Sequence, residues 1–445
     1  MTGRYIEEIA GGDAGRQSCC GESAILWEDV FLFRFFLVDL CCSVKGDRRC
    51  MGNITDYVNN FQHTFRESAF SEVDSLVLCQ LSYLKMKHLI PGLEDGADFL
   101  LFQEIAAKEH EEQIFADERY REDNQKLVEA VLRSRRFAEL KLNYYIDILD
   151  KEMEIQFSAV TCCAGEDADG KPIFYIAYRG TDENLVGWKE DFTLAFSEPV
   201  VGQLYAARYM RKAAGHLPGD FYLGGHSKGG NLAVFAAMSS SAALQERIRE
   251  VFSHDGPGFK PQVLERYEYE RISEKVNKIL PGSSLVGMLL ENGSAYHVVE
   301  SSSFGLWQHN PYTWVVDPEE GLFLHREDLK NGAKFMDTAV TDWILGLDDE
   351  QVGRFSDVLF KVLGASEADN LIDFKNDWKK SLSGILQELK ELDEETRAEI
   401  EDILKELFDI AGQMTKREIQ SRIQEGFQGI QEKFSRKKEK SENRY

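Results

Sequence analysis

Apolar positions change period twice along this chain. Between residues 54 and 140 they recur at three and four. Phe70, Val73, Leu76, Val77 and Leu81 form one such stripe. Leu127, Val128, Val131 and Leu132 form another, and the spacing predicts a helix over 124–140. From residue 155 the runs shorten. Residues 155–161 read as a strand, 165–170 as a turn and 173–178 as the partner strand. A helix is expected over 203–214, a strand at 221–223, a helix over 229–240 and a second helical run over 243–250. A strand at 251–254 closes on the turn Asp255-Gly256-Pro257-Gly258. Tyr296-His297-Val298-Val299 alternates as a strand does. From about residue 350 three helical stripes follow, running from Leu371, Ile400 and Ile419, with breaks at Gly364 and Gly412. Strands alternating with helices predict an α/β fold, with a helical cover before it and a helical tail after it.

One stretch joins these patterns: Phe221-Tyr222-Leu223-Gly224-Gly225-His226-Ser227-Lys228-Gly229-Gly230-Asn231. It reads as strand, sharp turn and helix, with Ser227 between Gly225 and Gly229. In that context the pattern is a nucleophile elbow of the α/β-hydrolase type. The serine takes a strained backbone conformation, so its hydroxyl projects above the sheet. The glycines let strand and helix pass closely. The helix start aims free N–H groups at developing negative charge. The other reading is a Rossmann-type glycine turn. A phosphate loop needs Gly-Lys-Ser/Thr, and here Lys228 follows the serine.

A hydrolase of this type orders its triad serine, acid, histidine. Asp255, at the end of the next strand, is well placed as the acid; the alternative is a plain Asp-Gly turn. His297, His309 and His325 come later. His297 reads as a strand side chain, and His325 as a surface or capping residue before a helical run. His309 lies in the loop Gln308-His309-Asn310-Pro311-Tyr312, where a base can reach over the sheet edge. His226 and His254 flank the pocket as structural or substrate-facing residues. The expected roles are Ser227 as nucleophile, His309 as base and Asp255 as the group that fixes the tautomer. The strand ending in Arg179-Gly180-Thr181-Asp182 offers Thr181 as one oxyanion donor, with the Lys228 N–H as the second. An ordinary turn closed by Asp182 is the competing account.

Composition narrows the class. The formal net charge of −25 and pI near 4.9 argue against a nucleic-acid binder. Eight cysteines include three adjacent pairs, and no CxxC pair has zinc spacing. Reduced thiols in a cytoplasmic protein are the simplest account. His110-Glu111-Glu112-Gln113 lacks the second histidine of a zincin helix, so it reads as a solvated face. No metal or organic cofactor is implied. Residues 25–44 are apolar but interrupted by Glu28, Asp29, Arg34 and Asp39, so a membrane span is not expected. Residues 1–50 read as an atypical extension, with Met51 as the expected true start. The α/β-hydrolase domain is expected over 51–345 and the amphipathic helical tail over 346–445.

These residues resemble class 3 (fungal-type) lipases in Tyr178-Arg179-Gly180-Thr181, then Trp188 and Asp191, then Gly225-His226-Ser227 with Gly229-Gly230. The chain resembles more closely a bacterial lipase-like family of unknown function. That resemblance adds Glu72-Val73-Asp74-Ser75-Leu76, Gly187-Trp188-Lys189-Glu190-Asp191 and Gln308-His309, and covers roughly residues 51–345. It implies an α/β-hydrolase fold and hydrolysis of acyl esters by Ser227, His309 and an acid. The chain departs from the class 3 pattern in one respect. Those lipases carry the acid one strand later, where this chain reads Pro281-Gly282-Ser283-Ser284-Leu285, without a carboxylate. Asp255 looks more like the acid position of the pancreatic-type lipases.

The expected substrate is a small-molecule or lipid acyl ester. A catalytically silent hydrolase fold acting as a binding or scaffolding module is the alternative, and acyl transfer is a third. The tail packs on itself or on the hydrolase in the simplest reading. Its last stretch, from Lys416 to Arg444, carries nine Lys/Arg against five Asp/Glu, which suits peripheral contact with an anionic membrane. Truncation at Gly412 is then expected to lose binding to anionic liposomes in a sedimentation assay; equal binding by both forms would rule the contact out.

Overall fold

The computed structural model describes residues 51–96, 98–117, 120–150, 155–181, 199–284, 286–290, 295–303, 305–326 and 329. The extension at 1–50, the segment 182–198 with Trp188 and Asp191, and the tail at 346–445 lie outside the described residues.

Eleven strands are described: β1 (Leu100–Leu101), β2 (Lys141–Asp150), β3 (Ile155–Glu166), β4 (Pro172–Tyr178), β5 (Phe221–His226), β6 (Ile248–His254), β7 (Val276–Pro281), β8 (Tyr296–Val299), β9 (Val316–Asp317), β10 (Leu322–Phe323) and β11 (His325–Arg326). Nine form one mixed sheet in the order β1-β2-β3-β4-β5-β6-β7-β8-β11. Strands β1 to β4 pair antiparallel. Strands β4 to β8 run parallel, and β11 returns antiparallel along β8. Parallel strands need crossovers, which here are helices. α4 (Val201–His216) precedes β5, while α5 (Lys228–Met238) and α6 (Ala242–Arg247) lead to β6.

Both faces of the sheet are covered, so its central strands are apolar throughout rather than alternating. Strand β4 shows the division. Tyr175 and Ala177 join the cluster of α1 (Ile54–Asn60), α2 (Glu72–Leu81) and α3 (Arg121–Arg133). Phe174, Ile176 and Tyr178 join the cluster of α4 and α5. Helices α1 and α2 start at capping boxes, Asn53 with Asp56 and Ser71 with Asp74. No helix among the described residues is long and apolar enough to cross a membrane.

Tertiary contacts move several boundaries. The helix expected over 124–140 runs from Arg121 and stops at Arg133, where Ser134 turns extended. The cause is Arg136. Its guanidinium turns back to Asp74, with Nε and Nη2 2.7 and 2.6 Å from the carboxylate. It also donates to the carbonyls of His63, Ser68 and Ala69. The run expected as helix over 243–250 ends at Arg247, whose guanidinium takes the carbonyls of Ala214, Leu217 and Gly219. Ile248 then pairs with Phe221 as the first residue of β6. His325 is exposed, as expected, and lies in β11 with Nε2 3.1 Å from Glu72.

Cys79, Cys162 and Cys163 are free. Burial pushes the Cys79 thiol up to about 12 and raises Cys162 and Cys163 as well. Such thiols stay protonated and are poor nucleophiles.

The Arg136–Asp74 pair is fully buried, and Tyr57 Oη donates to the same carboxylate at 2.7 Å. Removing one partner strands a buried charge. Arg136→Met is expected to lower the unfolding free energy of the full chain by about 3–5 kcal/mol, read from urea denaturation. A loss below about 1 kcal/mol would show the ion pair to be dispensable.

Candidate active site

Strand β5 ends at His226, and Ser227 follows at φ 59° and ψ −132° before α5 begins at Lys228. This is left-handed backbone at a residue with a side chain, a strained conformation that surrounding structure must hold. Ser227 N–H donates to the His254 carbonyl at 2.9 Å, which ties the turn to β6. A Cβ at Gly225 would collide with the backbone of Gly229, and one at Gly229 with the carbonyl of Tyr178. The two glycines therefore permit the close passage of strand and helix.

Asp255 is the first residue beyond β6 and is fully buried, at φ 51°. His309 ends a 3-10 turn, Gly305–His309. The structure brings these two residues and Ser227 together. His309 Nδ1 is 2.7 Å from Asp255 Oδ2, and His309 Nε2 is 3.0 Å from Ser227 Oγ. With Nδ1–H donated to the carboxylate, Nε2 is left to accept from the serine hydroxyl.

The remaining oxygen of Asp255 is satisfied from the segment after β7. Ser284 Oγ–H donates to Oδ1, and Gly287 N–H donates to the same atom at 3.1 Å. This accounts for the departure noted in the sequence. The segment Pro281-Gly282-Ser283-Ser284, which has no carboxylate, supplies a hydroxyl to the one carried just past the preceding strand. A serine gives no sequence signal of that role.

His309 is held from three directions. Ser283 N–H donates to Gln308 Oε1 at 2.6 Å, and Gln308 Nε2 donates to the Ser303 carbonyl at 2.8 Å. Trp314 Nε1–H reaches the Gln308 carbonyl at 2.8 Å. His226 Nε2–H donates to the His309 carbonyl at 2.8 Å, and the two rings lie 4.5 Å apart at 34°. His226 thus faces His309, which the motif alone does not disclose. His254 points into the helical cover instead, with Nε2 2.8 Å from Ser75 Oγ. His297 is exposed on β8, and its ring is 5.9 Å from His325.

Thr181 and Lys228 are both buried. The segment bearing Thr181 leaves β4 against the elbow: a Cβ on Gly180 would lie 3.2 Å from Ser227 Cβ. Arg179 anchors it, with Nη2 and Nη1 2.8 and 3.2 Å from the Asp147 carboxylate on β2. Asp182 lies outside the described residues. Two cavities, of about 370 and 710 Å³, lie elsewhere over β2 and share Tyr145 and Ile146. Neither is lined by Ser227, His309 or Asp255.

With this geometry in hand, the chain can be compared with known proteins. The model of the Mbeg1-like family, a lipase-like family, matches residues 131–361, just over half of the chain. The chain belongs to the Mbeg1-like family. The match spans β2 to β11 and includes all three residues of the hydrogen-bonded chain. No curated protein sequence matches it. Among solved structures, the Rhizomucor miehei lipase–propeptide complex shares 16% identity at a TM-score of 0.28. That match covers 40% of this chain and 59% of the lipase. M37 lipase shares 14% identity at a TM-score of 0.31, over 50% of this chain and 70% of that one. This Mbeg1-like chain thus spans under two thirds of the first lipase, and overlaps at such scores carry no weight for the site.

His254 yields a pH prediction for this family member. Burial depresses its pKa to about 3, against roughly 6.5 in an unfolded chain. Between those values the unfolded chain binds a proton that the folded protein refuses. Stability should therefore fall as pH drops below about 6.5, by up to about 1.4 kcal/mol per unit from this group. Urea midpoints from pH 7 to 4 should fall less steeply in His254→Gln. An unchanged slope would mean that His254 does not drive the decline.

Proposed function

We propose that this Mbeg1-like protein is a serine hydrolase of the lipase/esterase type, built on an α/β-hydrolase fold. The observation that carries the reading is the continuous chain Ser227 Oγ, His309 Nε2, His309 Nδ1, Asp255 Oδ2, at 3.0 and 2.7 Å. Ser227 Oγ attacks the acyl carbon of the ester, and its proton passes to His309 Nε2. The tetrahedral oxyanion is met by the backbone N–H groups of Thr181 and Lys228. As the C–O bond breaks, His309 returns the proton to the departing alcohol. Water then attacks the acyl-serine with His309 again as base, releasing the acid and restoring the serine. Asp255 keeps the imidazole in the productive tautomer and steadies the imidazolium.

The silent-module alternative drew on the missing carboxylate after Pro281. The hydrogen bond from Ser284 to Asp255 supports an acid delivered from β6 instead. The substrate we propose is a small-molecule or lipid acyl ester. We place the protein in the cytoplasm, with its basic tail at an anionic membrane surface.

A fluorophosphonate probe should label Ser227, and Ser227→Ala should abolish labelling. Asp255→Asn should lower ester turnover by about 10⁴-fold, the scale of a lost tautomer control. Ser284→Ala should lower it roughly ten- to a hundredfold, as one hydrogen bond to a charged group is lost. Absence of labelling in the folded wild type would overturn the hydrolase reading.

A further inference from the structure

We propose that the side chain of Lys228 is a positioning strut that holds the Arg179-Gly180-Thr181 segment against the elbow; this rests on Ser227 being the nucleophile. Lys228 directly follows that serine, yet its side chain is buried rather than turned to solvent. Its Nζ donates to the Gln156 carbonyl at 3.0 Å and lies 3.4 Å from Gln156 Oε1.

The strand order gives this contact its meaning. Gln156 lies on β3 and Lys228 leaves β5, while β4 runs between them. The ammonium therefore bridges the end of β4. The last rungs joining β3 to β4 are the pair Ala159 with Tyr178 and the bond from Arg179 N–H to the Ser158 carbonyl. Gln156 lies past them, alongside the departing segment. From the other flank the first turn of α5 rests on the same strand end, since a Cβ on Gly229 would lie 3.1 Å from the Arg179 carbonyl carbon. Arg179 in turn is fixed to Asp147 on β2. Both cations thus reach the β2–β3 side of β4, Arg179 from the departing segment itself and Lys228 across it from α5.

An apolar side chain of similar length would fill this volume without the desolvation that burying an ammonium incurs. Lysine suits the joint because it places a compact charge with rotatable donors at the end of a long stem. The consequence falls on transition-state binding. Lys228 contributes one oxyanion N–H from its backbone, and its Nζ fixes the strand flanking the other donor. A single residue therefore sets the separation of the two donors. Oxyanion stabilisation depends on donors held in place before charge develops, and a small misplacement is costly.

The test uses the full chain, with p-nitrophenyl butyrate as probe ester and hydrogen exchange at the 179–181 amides as a readout independent of activity. Lys228→Met is expected to lower kcat by about a hundredfold, the scale of losing one oxyanion donor, with KM moving less than about threefold. The 179–181 amides should exchange faster than in wild type. If Lys228→Met fails to fold, Lys228→Gln, which keeps a donor without the charge, carries the same comparison. A kcat within about threefold of wild type, or a change in KM alone, would overturn the strut. If wild type itself neither hydrolyses the ester nor labels at Ser227, the hydrolase reading fails instead. Exchange then decides: faster exchange at 179–181 in the variant keeps the strut, and unchanged exchange removes it.

Discussion

A carboxylate taken wholly out of water must be met by donors, and the C-terminal edge of the sheet is arranged around meeting one at Asp255. The residue leaves β6 in the left-handed region, at φ 51°. Three groups then converge on it: the His309 ring, the Ser284 hydroxyl and the Gly287 N–H. Each comes from a different position beyond β6, so the acid draws the segments after β7 and β8 toward the elbow. Charge satisfaction in a dry interior does more to set this edge than local propensity.

The helical cover obeys the same rule. Arg136 and Asp74 meet in the helical cover with almost no exposure, and the Arg136 guanidinium lies 4.0 Å over the Phe65 ring. Helix α2 carries Asp74 toward this pair and, one residue later, Ser75 toward His254 and Tyr175. His254 immediately precedes Asp255. The cover is therefore joined to the strand that bears the acid by polar contacts as well as by apolar packing. Burial keeps His254 neutral, which suits a contact in which one ring nitrogen meets a hydroxyl.

How much of this could be read beforehand depends on how local each cause is. Ser227 was legible because flanking glycines and the strand-to-helix change lie within a dozen residues. Strands β3 to β6 were legible because dense apolar runs between turn residues have few other uses. Asp255 and His309 followed from chain order, and the structure sets both within hydrogen-bond distance of the predicted partners. Strand β2 gave no such warning. Asn143 is buried within it, Tyr144 takes a φ of 58°, and the register shifts between Asn143 and Ile146, which breaks the alternation that marks a strand. The end of α3 and the start of β6 were misread because an arginine at or just past each helix end, Arg136 and Arg247, draws the chain elsewhere. Ser284 and Gln308 were silent because their effect depends on which oxygen or N–H happens to face them in space.

The hydrogen bond from His226 to the His309 carbonyl has a mechanical consequence. The tip of β5 carries the hydroxyl on one residue and grips the main chain of the base with the residue before it. Any rigid drift of that tip moves donor and acceptor in the same direction. Thermal motion of the strand then appears as a common-mode displacement of the pair, while the separation of Ser227 Oγ and His309 Nε2 stays nearly constant.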